Sequence, residues 1–61
     1  MSLTKVEADL LRIRVEEVLD DMWNVCTSIT QGFAEEFIAE DRAMLKRSQK
    51  ELEELLQELT K

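Results

Sequence analysis

The segment from Asn24 to Phe33 most constrains the fold, because it interrupts a chain that otherwise favours helix. Residues 25–30 are all mediocre helix formers, and Gly32 is the only glycine of the chain. Proline is absent from the sequence, and no segment alternates polar and apolar residues as a strand does. The chain is therefore predicted to be all-α, with either a turn at Gly32 or one long helix running through it.

Apolar residues recur at alternating four- and three-residue steps on both sides of this segment, as on one face of a helix. In the first half they are Leu11, Val15, Val18, Met22, Val25 and Ile29. In the second half the stripe comprises Ala34, Ile38, Asp41, Leu45, Ser48, Leu52, Leu55 and Leu59, of which two are polar. The step from Ile29 to Ile38 is nine residues, so an unbroken helix would carry the two stripes roughly 180° apart.

An antiparallel two-helix hairpin removes this conflict, because it turns both stripes towards each other. We expect one domain over residues 1–61, with helix 1 at about 4–29, a turn at about 30–33 and helix 2 at about 34–60. Folding at Gln31–Gly32 pairs residues whose numbers add up to about 63, so Met22 faces Asp41 and Val15 faces Ser48. The alternative is a single long helix in a coiled-coil dimer.

Charges favour the same antiparallel arrangement. The acids of residues 16–21 reflect onto the basic stretch of residues 42–50, Arg12 falls near Glu51, and Lys5 falls near Glu58. Exposed ion pairs are weak, so this pattern indicates orientation rather than stability.

Local signals place the helix ends. Thr4 with Glu7 three residues later predicts a capping box at the start of the first helix. Gly32 suits the left-handed position beyond a helix C-terminus, where Phe33 can fold back on the preceding turn in a Schellman-type stop.

The chain carries more apolar surface than one hairpin can cover. A chain of 61 residues with a single cysteine and no histidine has no internal disulfide and lacks the commonest metal ligand, so its core needs a partner. We expect a homodimer of hairpins that forms a four-helix bundle. The candidate interface residues flank the stripes: Val6, Leu10, Ile13, Leu19, Trp23, Cys26, Phe33, Phe37, Met44 and Leu56.

Three residues carry an alternative interpretation. Asp41 interrupts an apolar stripe. Either side-chain rotation or a shifted register places it at a bundle edge, where arginine or solvent satisfies it, or it forms a register-fixing polar layer with Trp23, Asn24 or a basic residue of the second chain. Ser48 is expected to hydrogen-bond back to its own helix. Cys26, without a histidine base, is expected to be a buried thiol rather than a nucleophile.

The sequence disfavours an enzyme, and we expect no catalytic, cofactor-binding or metal-ligating residues. Di-iron bundles require histidine, and the Glu-Glu-x-x-Glu pattern of helical pyrophosphatases fails because Ala39 follows Glu35-Glu36. The net charge of -6 argues against nucleic acid as the main partner, and the short apolar runs predict neither a membrane span nor a signal peptide. An intracellular location follows as the default.

These observations predict a non-enzymatic protein–protein interaction or oligomerisation module that binds itself and another protein. In architecture the hairpin resembles the Rop-type RNA-binding dimers, but shape alone carries no function. A Rop-like RNA-binding regulator using Arg42, Lys46, Arg47 and Lys50 is therefore one alternative. A coiled-coil fragment of a larger scaffold protein is the other.

Overall fold

The computed structural model describes residues 2–61, so that only Met1 of the expected domain lies outside it. Helix α1 spans Lys5–Thr30 and helix α2 spans Glu35–Leu59, and the two pack side by side in an antiparallel hairpin. The predicted all-α hairpin is confirmed, and each predicted helix boundary lies within one residue of the observed one.

The capping box at the start of α1 is confirmed. The backbone N–H of Glu7 donates to the Thr4 hydroxyl at 3.1 Å, and the backbone N–H of Thr4 donates to the Glu7 carboxylate at 2.9 Å. The hydrogen bond from the Thr4 backbone, followed by that from its side chain, lowers the pKa of Glu7 below its ordinary value. These bonds occupy donors that an uncapped helix start leaves unsatisfied.

We therefore expect Thr4→Ala to lower the free energy of unfolding by about 1 kcal/mol at neutral pH. Because the pKa of Glu7 is lowered in the folded state, its contribution is present above the unfolded pKa and is lost as the pH falls through the folded pKa. Thr4→Ala keeps the backbone N–H that binds the Glu7 carboxylate, so Glu7→Gln tests the pH dependence, and the difference between the parent and Glu7→Gln should shrink in acid. Urea unfolding monitored by circular dichroism at neutral pH and at pH values below about 4 measures both effects. A difference that stays constant across this range would contradict the role of Glu7.

The turn that joins the helices is the predicted Schellman stop. Gly32 has φ of +69°, in the left-handed region. The backbone N–H of Phe33 donates to the Ser28 carbonyl at 3.0 Å, and that of Gly32 donates to the Ile29 carbonyl at 3.2 Å. This pair of bonds satisfies two carbonyls at the end of α1 and sends the chain back towards α2.

We expect Gly32→Ala to destabilise the protein by about 1 kcal/mol, because a side chain is strained in the left-handed region. A Cβ at this position would meet no atom within 4 Å, so the strain comes from the backbone and not from a clash. Thermal unfolding of both variants at one protein concentration measures the effect. Stabilisation by alanine, the better helix former, would instead support the continuous-helix alternative.

The contact between α1 and α2 differs from the predicted one on the α1 side. Leu11, Val18 and Val25 lie in it as expected, but Arg14, Asp21 and Ser28 replace the other stripe members. The expected Val15, Met22 and Ile29 are 39%, 45% and 52% exposed. They lie one residue further along the helix, which turns them about 100° away from α2.

The register is also shifted, and the predicted pairs Met22–Asp41 and Val15–Ser48 are wrong. Ser28 instead contacts Asp41 and Asp21 contacts Ser48, pairs whose numbers add up to 69. The physical reason is the polar content of α2: two polar residues in its contact stripe need hydrogen-bonding partners, which the apolar stripe of α1 lacks. Turning α1 brings its own aspartate and serine to them.

The hairpin forms a single layer of helices. Its extents are 44 × 16 × 12 Å, and its smallest dimension is that of one helix with its side chains. None of the hydrophobic side chains in residues 2–61 is fully buried; the only buried residues in that range are Ser28 and Ser48. Globular domains are built from at least two packed layers, so both broad sides of this layer are open for contacts.

Candidate functional site

Two serine–aspartate pairs lie in the contact between α1 and α2, one next to the turn and one midway along the helices. The hydroxyl of Ser28, 4% exposed, donates to the carboxylate of Asp41. The hydroxyl of Ser48, 8% exposed, contacts the carboxylate of Asp21 and lies 3.1 Å from the carbonyl of Met44 on its own helix. The predicted back-bond of Ser48 is confirmed, and within the hairpin Asp41 takes its hydrogen bond from Ser28 rather than from Trp23 or Asn24. Asp41 is bonded within its own chain.

A repeat in the sequence underlies these pairs. The pattern Val18-x2-Asp21-x3-Val25-x2-Ser28 recurs twenty residues later as Ile38-x2-Asp41-x3-Leu45-x2-Ser48. Two such helices packed antiparallel place each aspartate opposite the serine of the other. The seven-residue spacing of aspartate and serine, two turns on both helices, is the signal that could have located Asp21 and Ser28 in the contact.

A third polar contact joins the helices closer to their open end. The guanidinium of Arg14 lies 3.1 Å from the carboxylate of Glu17 on α1 and 3.2 Å from that of Glu51 on α2. The expected partner of Glu51, Arg12, instead bonds Glu16 on its own helix at 3.3 Å. With the two serine–aspartate pairs, the Arg14 contact specifies the alignment of α1 with α2, because sliding either helix would leave polar groups unpaired.

One side of the hairpin presents an apolar surface, which we call the α1 apolar face: Val15, Leu19, Met22, Cys26 and Ile29. All five are exposed, with Leu19 57% accessible. The expectation that Cys26 is buried is thus wrong within the single hairpin, because α1 turns a different side to α2. Leu56 of α2, 42% exposed, flanks the α1 apolar face near the open end.

The opposite side of the hairpin carries a groove between the helices, which we call the acidic groove. Glu17 and Asp20 line it from α1, and Met44, Arg47 and Glu51 line it from α2, around a volume of about 270 Å³. Phe37 and Glu40 continue this side towards the turn, because they lie seven residues before Met44 and Arg47 and so on the same side of α2. Phe33 adjoins Phe37 in a shallow depression.

The ten candidate interface residues are therefore all exposed but do not form one surface. Leu19, Cys26 and Leu56 lie with the α1 apolar face, whereas Phe33, Phe37 and Met44 lie on the side of the acidic groove. Val6, Leu10 and Ile13 lie on the side of the acidic groove near the open end: Leu10 lines a depression there with Glu51 and Glu54, and Val6 and Ile13 precede Asp20 by fourteen and seven residues. Trp23, 73% exposed, lies on the outer side of α1. The predicted role of all ten stays a prediction.

The basic residues of α2 have fewer ion-pair partners than the antiparallel pairing predicted from the sequence provides for them. None of the basic residues between positions 42 and 50 forms an ion pair with another part of the chain in residues 2–61. In the same range, no three His, Cys, Asp or Glu side chains converge on a position that could hold a metal ion. No described helix combines the length and apolar character required to cross a membrane. The two features of the described hairpin that are open to another molecule are the α1 apolar face and the acidic groove.

Comparisons of the chain with protein-family models, with curated proteins and with solved structures give no match in any of the three.

Proposed function

We propose that this protein is a non-enzymatic oligomerisation and protein–protein interaction module, whose hairpin pairs with a second copy to form a four-helix bundle. The observation that supports this proposal is the absence of a buried apolar core in residues 2–61. A lone hairpin leaves its leucine, valine and methionine side chains partly in water, and a second layer would remove them from it.

The size of the exposed surface supports a partner. The accessible surface of the chain is 5026 Å² for a mass of 7.1 kDa. A compact monomer of this mass exposes about 4,100 Å². The excess of about 900 Å² is close to the roughly 800 Å² that each partner buries in a standard protein–protein interface. One further chain on one side of the hairpin would cover it.

The α1 apolar face is the surface that we assign to this dimer. Its residues follow one another at three- and four-residue steps from Val15 to Ile29, which gives a continuous stripe of about four turns. No charged residue interrupts it, and Met22 lies at its centre. Because a two-fold symmetric dimer brings the same surface of both copies together, an apolar stripe without charges is self-compatible.

Sedimentation equilibrium at micromolar concentration tests the proposal. We expect a particle of twice the chain mass of 7.1 kDa, and a thermal midpoint that rises with protein concentration. A folded monomer with a concentration-independent midpoint would rule out the four-helix bundle.

An RNA-binding role is the second candidate, because the basic residues of α2 lack ion-pair partners in residues 2–61. We expect only weak, salt-sensitive binding, since four cations neutralise few phosphates and the net charge of -6 repels them. Gel-shift titrations of RNA across salt concentrations measure it. Submicromolar binding that is lost in Lys46→Glu with Lys50→Glu would place the RNA role first.

A further inference from the structure

We propose that the acidic groove binds a basic amphipathic helix of another protein, with Phe37 and Met44 as its apolar contacts and Asp20 and Glu40 as its charged ones. This site lies on the opposite side of the hairpin from the α1 apolar face. It therefore goes beyond the proposed dimer and does not depend on it.

The shape of the site suits a helix. The two helices form one layer that is 12 Å thick, and the furrow between two adjacent helices runs straight along their length. Residues of both helices line it, so a third helix laid in the furrow would contact α1 and α2 together. Recognition of an amphipathic helix in a groove is a common mode of peptide binding.

The apolar contacts lie in a row along α2. Phe37 is 57% exposed and Met44, seven residues later, is 52% exposed, and Phe33 extends the row at the turn. Aromatic residues and methionine are enriched in protein interfaces, where they supply much of the binding energy. Side chains of this size, more than half exposed at two-turn spacing, match apolar residues on one face of a bound helix.

The charge of this side selects a basic partner. Four acids line the groove, Glu17, Asp20, Asp21 and Glu51, and Glu40 continues this side towards the turn. Asp20 and Glu40 form no ion pair with any residue in positions 2–61, whereas Glu17 and Glu51 are both engaged by Arg14. Arg47 is the one basic residue that lines the groove itself. Lysine or arginine on the flanks of an incoming apolar stripe would meet these free carboxylates.

The test uses a synthetic amphipathic helix of about 18 residues, with leucines along one face and lysines on the others. A second peptide carries glutamate in place of each lysine. Binding of the fluorescently labelled peptides is followed by anisotropy. We expect the lysine peptide to bind at one copy per chain and the glutamate peptide not to bind.

Two pairs of variants locate the site. Phe37→Ala with Met44→Ala should weaken binding of the lysine peptide at least about tenfold, because these side chains supply the apolar contacts. Trp23→Ala, which removes a large side chain that is 73% exposed on the outer side of α1, should not. Asp20→Asn with Glu40→Gln should also weaken binding, whereas Glu36→Gln with Glu53→Gln, the same change of charge at exposed positions outside the groove, should not.

If both charge pairs weakened binding equally, attraction to the net charge of the chain would account for the binding, and the proposal would be overturned. Failure of the lysine peptide to bind, or equal binding of the glutamate peptide, would also overturn it. Phe37, Met44, Asp20 and Glu40 are all exposed, so circular dichroism should show unchanged helix content in these variants. Sedimentation of the same samples separates this site from the dimer, because a variant that loses peptide binding while it sediments like the parent is altered at the acidic groove and not in its assembly.

Discussion

Met22→Asp is expected to convert the proposed dimer into monomers. Met22 lies at the centre of the α1 apolar face, so in a two-fold dimer the aspartates of both copies would be brought together within an apolar contact. Burying an unpaired carboxylate costs several kcal/mol, and each 1.4 kcal/mol weakens association tenfold. We expect the dissociation constant to rise by about a thousandfold.

The measurement is sedimentation equilibrium together with the helix content over a dilution series. Met22 makes no contact that the hairpin needs, being 45% exposed, so an effect on assembly is separable from an effect on the α1–α2 contact. A small chain with a weak core depends on its partner for stability, and the monomeric variant should therefore also lose helix content.

Asn24→Asp is the matched control for this change. It adds the same charge two residues further along α1, at an exposed position outside the α1 apolar face. We expect it to remain dimeric. Dissociation by both variants would implicate net charge instead of the α1 apolar face, and a dimeric Met22→Asp would move the interface elsewhere.

Ser28→Ala is expected to lower the free energy of unfolding by about 1 to 3 kcal/mol, because Asp41 then loses its hydrogen-bond donor in the contact between the helices. Replacing both partners, as Ser28→Ala with Asp41→Leu, should restore stability or raise it above that of the parent. Removing one polar partner leaves the other unsatisfied, whereas removing both leaves an apolar contact.

A double-mutant cycle over Ser28 and Asp41 measures the coupling between them by urea unfolding. Asp20→Ala, an exposed acid one residue away from the contact, serves as the control and should change stability by less than about 0.5 kcal/mol. If the two single changes simply add in the double variant, the serine–aspartate pair does not contribute to the alignment of the helices.

The helix ends could be read from the sequence because their signals are local. Thr4 and Glu7 bond each other within one turn, and Gly32 adopts a left-handed conformation that only glycine reaches without strain. Such interactions involve residues a few positions apart, so they require no knowledge of what α1 packs against. The stripe on α2 was predicted correctly from Ile38 to Leu59 for the same reason, since Ile38, Leu45 and Leu52 show one helical period; its first predicted member, Ala34, is exposed before the helix.

The contact side of α1 could not be read in this way, because α1 carries two candidate stripes. Leu11, Val18 and Val25 belong to both, and the choice lies between apolar Val15, Met22 and Ile29 and polar Arg14, Asp21 and Ser28. Hydrophobicity favours the first set. The apolar pattern of α1 by itself does not show which set is buried, because that depends on the residues of α2 that α1 meets.

By itself, the sequence determined two helices, their ends, the left-handed glycine between them and the apolar surplus that asks for a further partner. Only the tertiary structure decided which side of α1 meets α2, and with it that the apolar residues flanking the contact separate into two surfaces on opposite sides. The physical reason is hydrogen bonding across the hairpin. Asp41 and Ser48 each need a partner at one level of α1, and only Ser28 and Asp21 supply them, so the apolar residues of α1 are left facing away.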